Sequence, residues 1–209
     1  MILIGQYDSP FVRRVAVALR LYRFAYDHRP WSTFGDADKL AAYNPLRRVP
    51  ALILEDGEVL IESGAILDYL DDRVGPEDAL IARSGLERRA ALKVCALASG
   101  LCDKMVALIY EHALHEAASR AWTDRCQSQV GSVLDALEAD RAGRTGSWWF
   151  GERFGHADII VGCALRFLQE AHPSIYALAR WPALVEHARR CEALDAFGGV
   201  VQKFEPPSR

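Results

Sequence analysis

The apolar residues of this chain change period once, near residue 75, and that change constrains the fold more than any other feature. Before it, short runs rich in β-branched and aromatic residues alternate with helical patterns; after it, only helical patterns remain. MILIGQY, residues 1–7, reads as a strand. From Phe11 the spacing turns helical, with Phe11, Val15, Ala18, Leu19 and Tyr22 on one face and Arg13, Arg20 and Arg23 off it. FAYDHRP reads as a second strand stopped by Pro30, and DADKLAAYNP as a short helix that ends before Pro45. VPALILED and EVLIES are two short runs around an Asp-Gly pair, a hairpin signal. SGAILDYLDDRVGP predicts a helix capped by Ser63 and stopped at Gly75 and Pro76. The order is β-α-β-α-β-β-α, followed by long helical patterns over roughly 86–118, 122–141, 156–171 and 182–193. The expected organisation is an α/β domain over residues 1–75, a linker over 76–85 and an all-helical domain over 86–209. KFEPPSR, at the end, is expected to fray.

Charge narrows the partners. With 25 Lys and Arg against 28 Asp and Glu the net charge is −3, so neither nucleic acid nor an anionic membrane is attracted in bulk, and a charged ligand must be met by a local patch. MILIGQYDSP lacks the basic start and long apolar run of a signal peptide. The most apolar stretch, AALKVCALASGL, is too short to span a membrane and carries Lys93. A cytoplasmic protein is expected. All five cysteines lie in the helical region from residue 95 on, without a CxxC pair, and read as buried free thiols. His112 and His115, beside Glu111 and Glu116, have helical spacing but no third ligand, so they read as a solvated face and no metal is expected.

Three short stretches carry chemistry. In YDSPFVRR, Ser9 and Pro10 suit the cap and first residue of a helix, and the same place favours an anion such as a thiolate. Arg13 and Arg14 sit in the first turn against the helix dipole and need water or an anion, though only one of them need be engaged by a ligand. In RRVPALI, a cis Pro50 would leave the Val49 backbone free to pair with an extended peptide, whereas a trans bond would make an ordinary turn. In IESGAIL, Glu62 and a helix N-terminus at Ser63 can take the ammonium and carboxylate of an amino-acid head group, or can be a plain capped helix.

Together with WFGERFGHADIIVG and WPALVEHARRCEALDAF, these blocks follow in the order and spacing of the glutathione transferase family, which the chain resembles over nearly its whole length. The resemblance implies a thioredoxin-like domain that binds glutathione and an all-helical domain that completes a pocket for a small hydrophobic electrophile. It implies that Ser9 holds the glutathione thiolate and that Val49 pairs with the cysteinyl backbone beside cis Pro50. Arg48 would stand near the glycyl end, and Glu62 with Ser63 would bind the γ-glutamyl head. Phe11 is expected to touch glutathione and, with Tyr7 and Tyr110, to line the electrophile pocket. Tyr7 is also the rival donor to the thiolate. A homodimer with a role in detoxification is implied as well, and a non-catalytic binding protein on the same fold is the alternative. Three departures stand out: Arg47-Arg48 where relatives often have Gly-Lys, Gly155 where they usually have Ser or Thr, and Ser9 where some have Cys. Serine cannot form a mixed disulfide, so thiolate activation is favoured over redox exchange.

Overall fold

The computed structural model describes residues 1–176 and 180–207. Four short strands, β1 (Ile2–Ile4), β2 (Asp27–Arg29), β3 (Ala51–Ile53) and β4 (Val59–Ile61), form one sheet in the order β2-β1-β3-β4. β1 runs parallel to β2 and antiparallel to β3, and β3 and β4 form the expected hairpin. Alternation along the central strands puts helices on both faces. Leu3 and Leu52 pack with α1 (Pro10–Leu21) and α3 (Ser63–Val74), while Ile4 and Ala51 pack with Leu40 of α2 (Ala37–Ala41). This is the thioredoxin-like arrangement, and the Val49–Pro50 peptide bond is cis.

The remaining helices are α4 (Gly85–Leu114), α5 (Arg120–Ala142), α6 (His156–Ala171), α7 (Pro182–Glu192) and a short α8 (Asp195–Gly198) that the sequence pattern did not suggest. α6 is buried almost all round because it packs against α1, α4 and α7 at once. Its residues Ile159 and Cys163 share a cluster with Leu3, Val15 and Leu70, so the core of the first half runs on into the second. All five cysteines are free and buried. No helix among the described residues is long and apolar enough to cross a membrane.

Polar bonds lock the same seam. Asp71 of α3 accepts from the Tyr22 hydroxyl and from Leu80 N–H (3.1 Å), and its other oxygen lies 2.8 Å from His156 Nε2 of α6. Burial works to raise the Asp71 pKa, but the bonds from His156, Tyr22 and Leu80 outweigh it and hold it below the usual aspartate value. Leu80 C=O in turn accepts from His156 N–H at 3.0 Å. That contact explains Gly155: a Cβ there would stand 2.7 Å from Leu80 O, so the seam leaves no room for the usual Ser or Thr. Asp158 still caps the helix through Gly155 N–H (2.9 Å), and Phe154 packs in the same cluster as Ile159.

Two expectations need correction. The cap of α3 is Glu62, whose Oε2 accepts from Gly64 N–H at 2.9 Å, and Ser63 is the first helical residue. The segment after α8 does not fray over its described part. Gln202 Oε1 accepts from Tyr7 N–H (3.0 Å), Phe204 N–H donates to Glu170 (2.9 Å), and Glu205 N–H reaches Asp8 (3.4 Å). Phe204 also meets Phe167 edge-on with centroids 5.5 Å apart. Residues 208 and 209 lie outside the described residues.

Candidate functional site

Ser9 ends the loop after β1 and caps α1. Its Oγ accepts from Val12 N–H at a long 3.4 Å, and its C=O accepts from Arg13 N–H at 2.9 Å. The cap bond is weak, and the half-buried hydroxyl keeps its own proton for another acceptor. It faces a cleft of about 470 Å³ between the sheet domain and α4. Of the residues singled out from sequence, Ser9, Phe11, Arg48, Val49 and Tyr110 line this cleft. Its far wall is apolar: Val106, Ile109 and Tyr110 from α4, Phe34 edge-on to Tyr110 at 5.2 Å, and Phe167 and Phe204.

Val49 is set at the rim by two contacts. The Asn44 side chain donates to Arg48 C=O at 2.9 Å, which pins the loop before the cis bond. Gly5, at φ +128°, lets β1 approach, since a Cβ there would stand 2.8 Å from Val49 Cβ. Among the described residues the Val49 N–H and C=O make no hydrogen bond, so they are available to an added extended strand. Pro50 itself is buried behind them. Arg48 leans across the cleft mouth toward Asp103 of α4 (3.6 Å), with both side chains more than half exposed.

Tyr7 departs from expectation. It is not among the residues lining this cleft; its ring stacks on His28 and its hydroxyl pairs with Tyr26 at 2.9 Å. Burial, reinforced by that bond, raises the phenol's pKa further above its usual value. The strand expected over residues 1–7 ends at Ile4, so Tyr7 stands in the turn before Ser9 and not on a strand face. Glu62 and Ser63 lie apart from the apolar wall, at the α3 N-terminus. Glu62 lines a second hollow of about 280 Å³ with Arg14 and Ser99. Glu62 holds φ +69°, unusual for a non-glycine residue, while its carboxylate closes back on its own helix.

The two arginines of the first turn separate. Arg13 is a structural clamp: its guanidinium takes Glu192 in two bonds of 2.6 and 2.8 Å and donates to Val200 C=O at 3.0 Å. Arg14 points instead to Ser63. His115 pairs with Glu111 at 3.1 Å, and among the described residues no cluster of three or more His, Cys, Asp or Glu is placed to hold a metal.

The family model described as glutathione S-transferase, N-terminal domain, matches residues 3–78, and that described as glutathione S-transferase, C-terminal domain, matches residues 120–190. Maleylacetoacetate isomerase of Pseudomonas aeruginosa is 31% identical over 203 residues, 91% of each chain. The chain belongs to the glutathione S-transferase family. A glutathione S-transferase of Methylobacterium radiotolerans, in complex with glutathione sulfonate, superposes with a TM-score of 0.92 at 26% identity over 100% of this chain and 97% of that one. One from Methylobacillus flagellatus, with glutathione bound, gives 0.88 at 30% identity over 96% and 98%.

Within this glutathione S-transferase fold, sequence reasoning missed Asp8, Phe34, Asp103 and the tail residues Phe204, Glu205 and Pro207, all of which line the Ser9 cleft. Asp8 stands next to Ser9. Burial raises its carboxyl pKa, opposed by bonds from the Glu205 and Ser9 amides. The one readable signal was Phe204, a lone aromatic in a polar tail.

Proposed function

We propose that this protein is an active glutathione transferase that activates the glutathione sulfur at Ser9 and directs it at a small hydrophobic electrophile. The observation that carries the reading is the placement of a weakly bonded Ser9 hydroxyl at a helix mouth, beside the unpartnered Val49 backbone and opposite an aromatic wall. The tripeptide lies extended, its cysteinyl backbone paired with Val49 as an added strand. Its γ-glutamyl ammonium goes to Glu62 and its carboxylate to the N–H groups and hydroxyl at Ser63. The glycyl end lies toward Arg48. Ser9 O–H and the α1 N-terminus stabilise the thiolate, and the cleft supplies proximity to the electrophile. Phe11, Tyr110, Phe34 and Phe204 favour a flat apolar partner. Binding to immobilised glutathione together with turnover of an aryl halide is the expected result; retention without turnover points to a binding protein.

A second reading is favoured by the Pseudomonas relative named an isomerase of maleylacetoacetate. A thiolate that adds to a cis double bond allows rotation before it leaves, and Arg47 and Arg48 at the cleft could receive carboxylates. Against a dianionic substrate stand three carboxylates in the same cleft, Asp8, Asp103 and Glu205. Assay with a cis-enedioate decides between the two. The protein is further proposed to be cytoplasmic and homodimeric, as the family resemblance implies; a sedimenting species of twice 23.3 kDa is expected, and a stable monomer at micromolar concentration would refute the dimer.

A further inference from the structure

Asp8 is a carboxylate at a place suited to hold another anion. It directly precedes Ser9, lines the same cleft and is half-buried. Its Oδ2 accepts from Glu205 N–H of the tail at a long 3.4 Å, and the Ser9 amide also donates to it. The cations around it are engaged by other acids. In the cleft Arg47 pairs with Asp38 (3.5 Å) and Arg48 with Asp103 (3.6 Å). In a small hollow on the other side of Asp8, Arg13 holds Glu192 and Arg166 holds Glu170. Among the described residues no cation forms an ion pair with Asp8. The remaining titratable groups of that hollow are neutral at pH 7, since burial pushes the Cys163 thiol up to about 12 and raises the Tyr7 phenol. The Glu205 carboxylate adds a like charge from the tail.

An ionised Asp8 would repel the thiolate that Ser9 and the α1 N-terminus are placed to stabilise. Two acids in one half-buried site relieve that conflict by sharing a proton, and the single negative charge settles on the group with the better donors. The sulfur has the Ser9 hydroxyl and the helix mouth; for Asp8, burial and the Glu205 charge favour the protonated form against its two amide bonds. Resting on the glutathione reading above, we propose that Asp8 is a catalytic residue, the acceptor of the glutathione thiol proton. The S–H bond breaks with its electron pair left on sulfur, and an O–H bond forms on the Asp8 carboxylate. When the thiolate adds to an activated double bond, Asp8 returns the proton to the carbon that receives the electron pair. When it displaces the halide of an aryl halide, the halide leaves with the bonding pair and Asp8 gives the proton to water.

The test counts protons. Thiolate formed on binding glutathione is read by ultraviolet absorbance, and protons released to solvent by calorimetry in two buffers of different ionisation heat. S-methylglutathione, which has no thiol proton, corrects for every other group. At pH 7 the wild type should release at most about 0.3 proton per thiolate formed, and Asp8→Asn, at the pH where half of its bound glutathione is ionised, about one. A merely structural Asp8 leaves that ratio near one in both proteins, which overturns the proposal, as does a variant that releases as little as the wild type. Should Asp8→Asn fail to fold, infrared difference spectra of wild type with isotope-labelled aspartate decide: a protonated carboxyl band should appear with glutathione and not with S-methylglutathione, and its absence overturns the proposal. Glutathione that binds without forming thiolate overturns both this role and activation at Ser9 but not the binding site; no binding at all overturns the glutathione reading itself.

Discussion

At Ser9 two roles compete for one hydroxyl, and they separate by measurement. A donor to the thiolate stabilises the ionised sulfur and lowers the thiol pKa of bound glutathione, each unit being worth about 1.4 kcal/mol. Ser9→Ala should therefore raise that pKa in a titration of thiolate absorbance by one to two units, as flagged by ~10- to 100-fold slower turnover near neutral pH. The cap role adds little, because the bond to Val12 N–H is 3.4 Å long; melting should fall by less than a typical cap loss of ~1 kcal/mol. Tyr7→Phe should leave the thiol pKa unchanged, since that phenol is spent on Tyr26. A shift in Tyr7→Phe with none in Ser9→Ala would reverse the assignment. Gly155 shows where local rules mislead. By capping preference Gly155→Ser should gain a few tenths of a kcal/mol. The 2.7 Å approach to Leu80 O turns the sign, and a net loss of ~1–3 kcal/mol is expected in chemical denaturation, as for other overpacked positions.

The elements of the sheet were legible because each bears its own period: β3 and β4 flank Asp56-Gly57, and α3 stops at Gly75 where a glycine stop was expected. Strand lengths were not, since pairing partners and not composition end β1 at Ile4. The tail was misread for a related reason. KFEPPSR has one aromatic and no period, and what holds it are main-chain N–H groups given to Glu170 and Asp8, which lie far away in sequence. Such bonds leave no trace in a linear pattern. Because Phe204 stands in the cleft wall against Phe167, its removal should act on the electrophile and spare glutathione. Phe204→Ala is expected to raise KM for an aryl halide several-fold while KM for glutathione stays within twofold. Equal changes in both would show that the tail only supports the fold.

For the whole molecule the decisive fact is that its two halves share one core and one polar lock. Ile159, Cys163 and Phe197 pack with Leu3 and Val15, Arg13 of α1 clasps Glu192 of α7, and Asp71 joins α3 to α6 through His156. Sequence showed two architectures side by side but gave no sign of this seam, whose Asp71–His156 and Arg13–Glu192 pairs join residues 85 and 179 apart. Unfolding should be a single cooperative transition. Asp71→Asn tests the lock. The carboxylate's folded pKa is depressed, so its contribution is fully present above the unfolded value of 3.8 and is lost as pH falls through the folded value. At pH 7 the substitution should lower stability by ~1.5–3 kcal/mol, the range for hydrogen bonds to a charged group, which at this chain length is a melting shift of several degrees. In urea titrations the gap between wild type and Asp71→Asn should stay constant from pH 7 to about pH 5 and shrink below about pH 4. A gap that persists undiminished to pH 3 would mean that the Asp71 charge adds nothing and that shape alone holds the halves together.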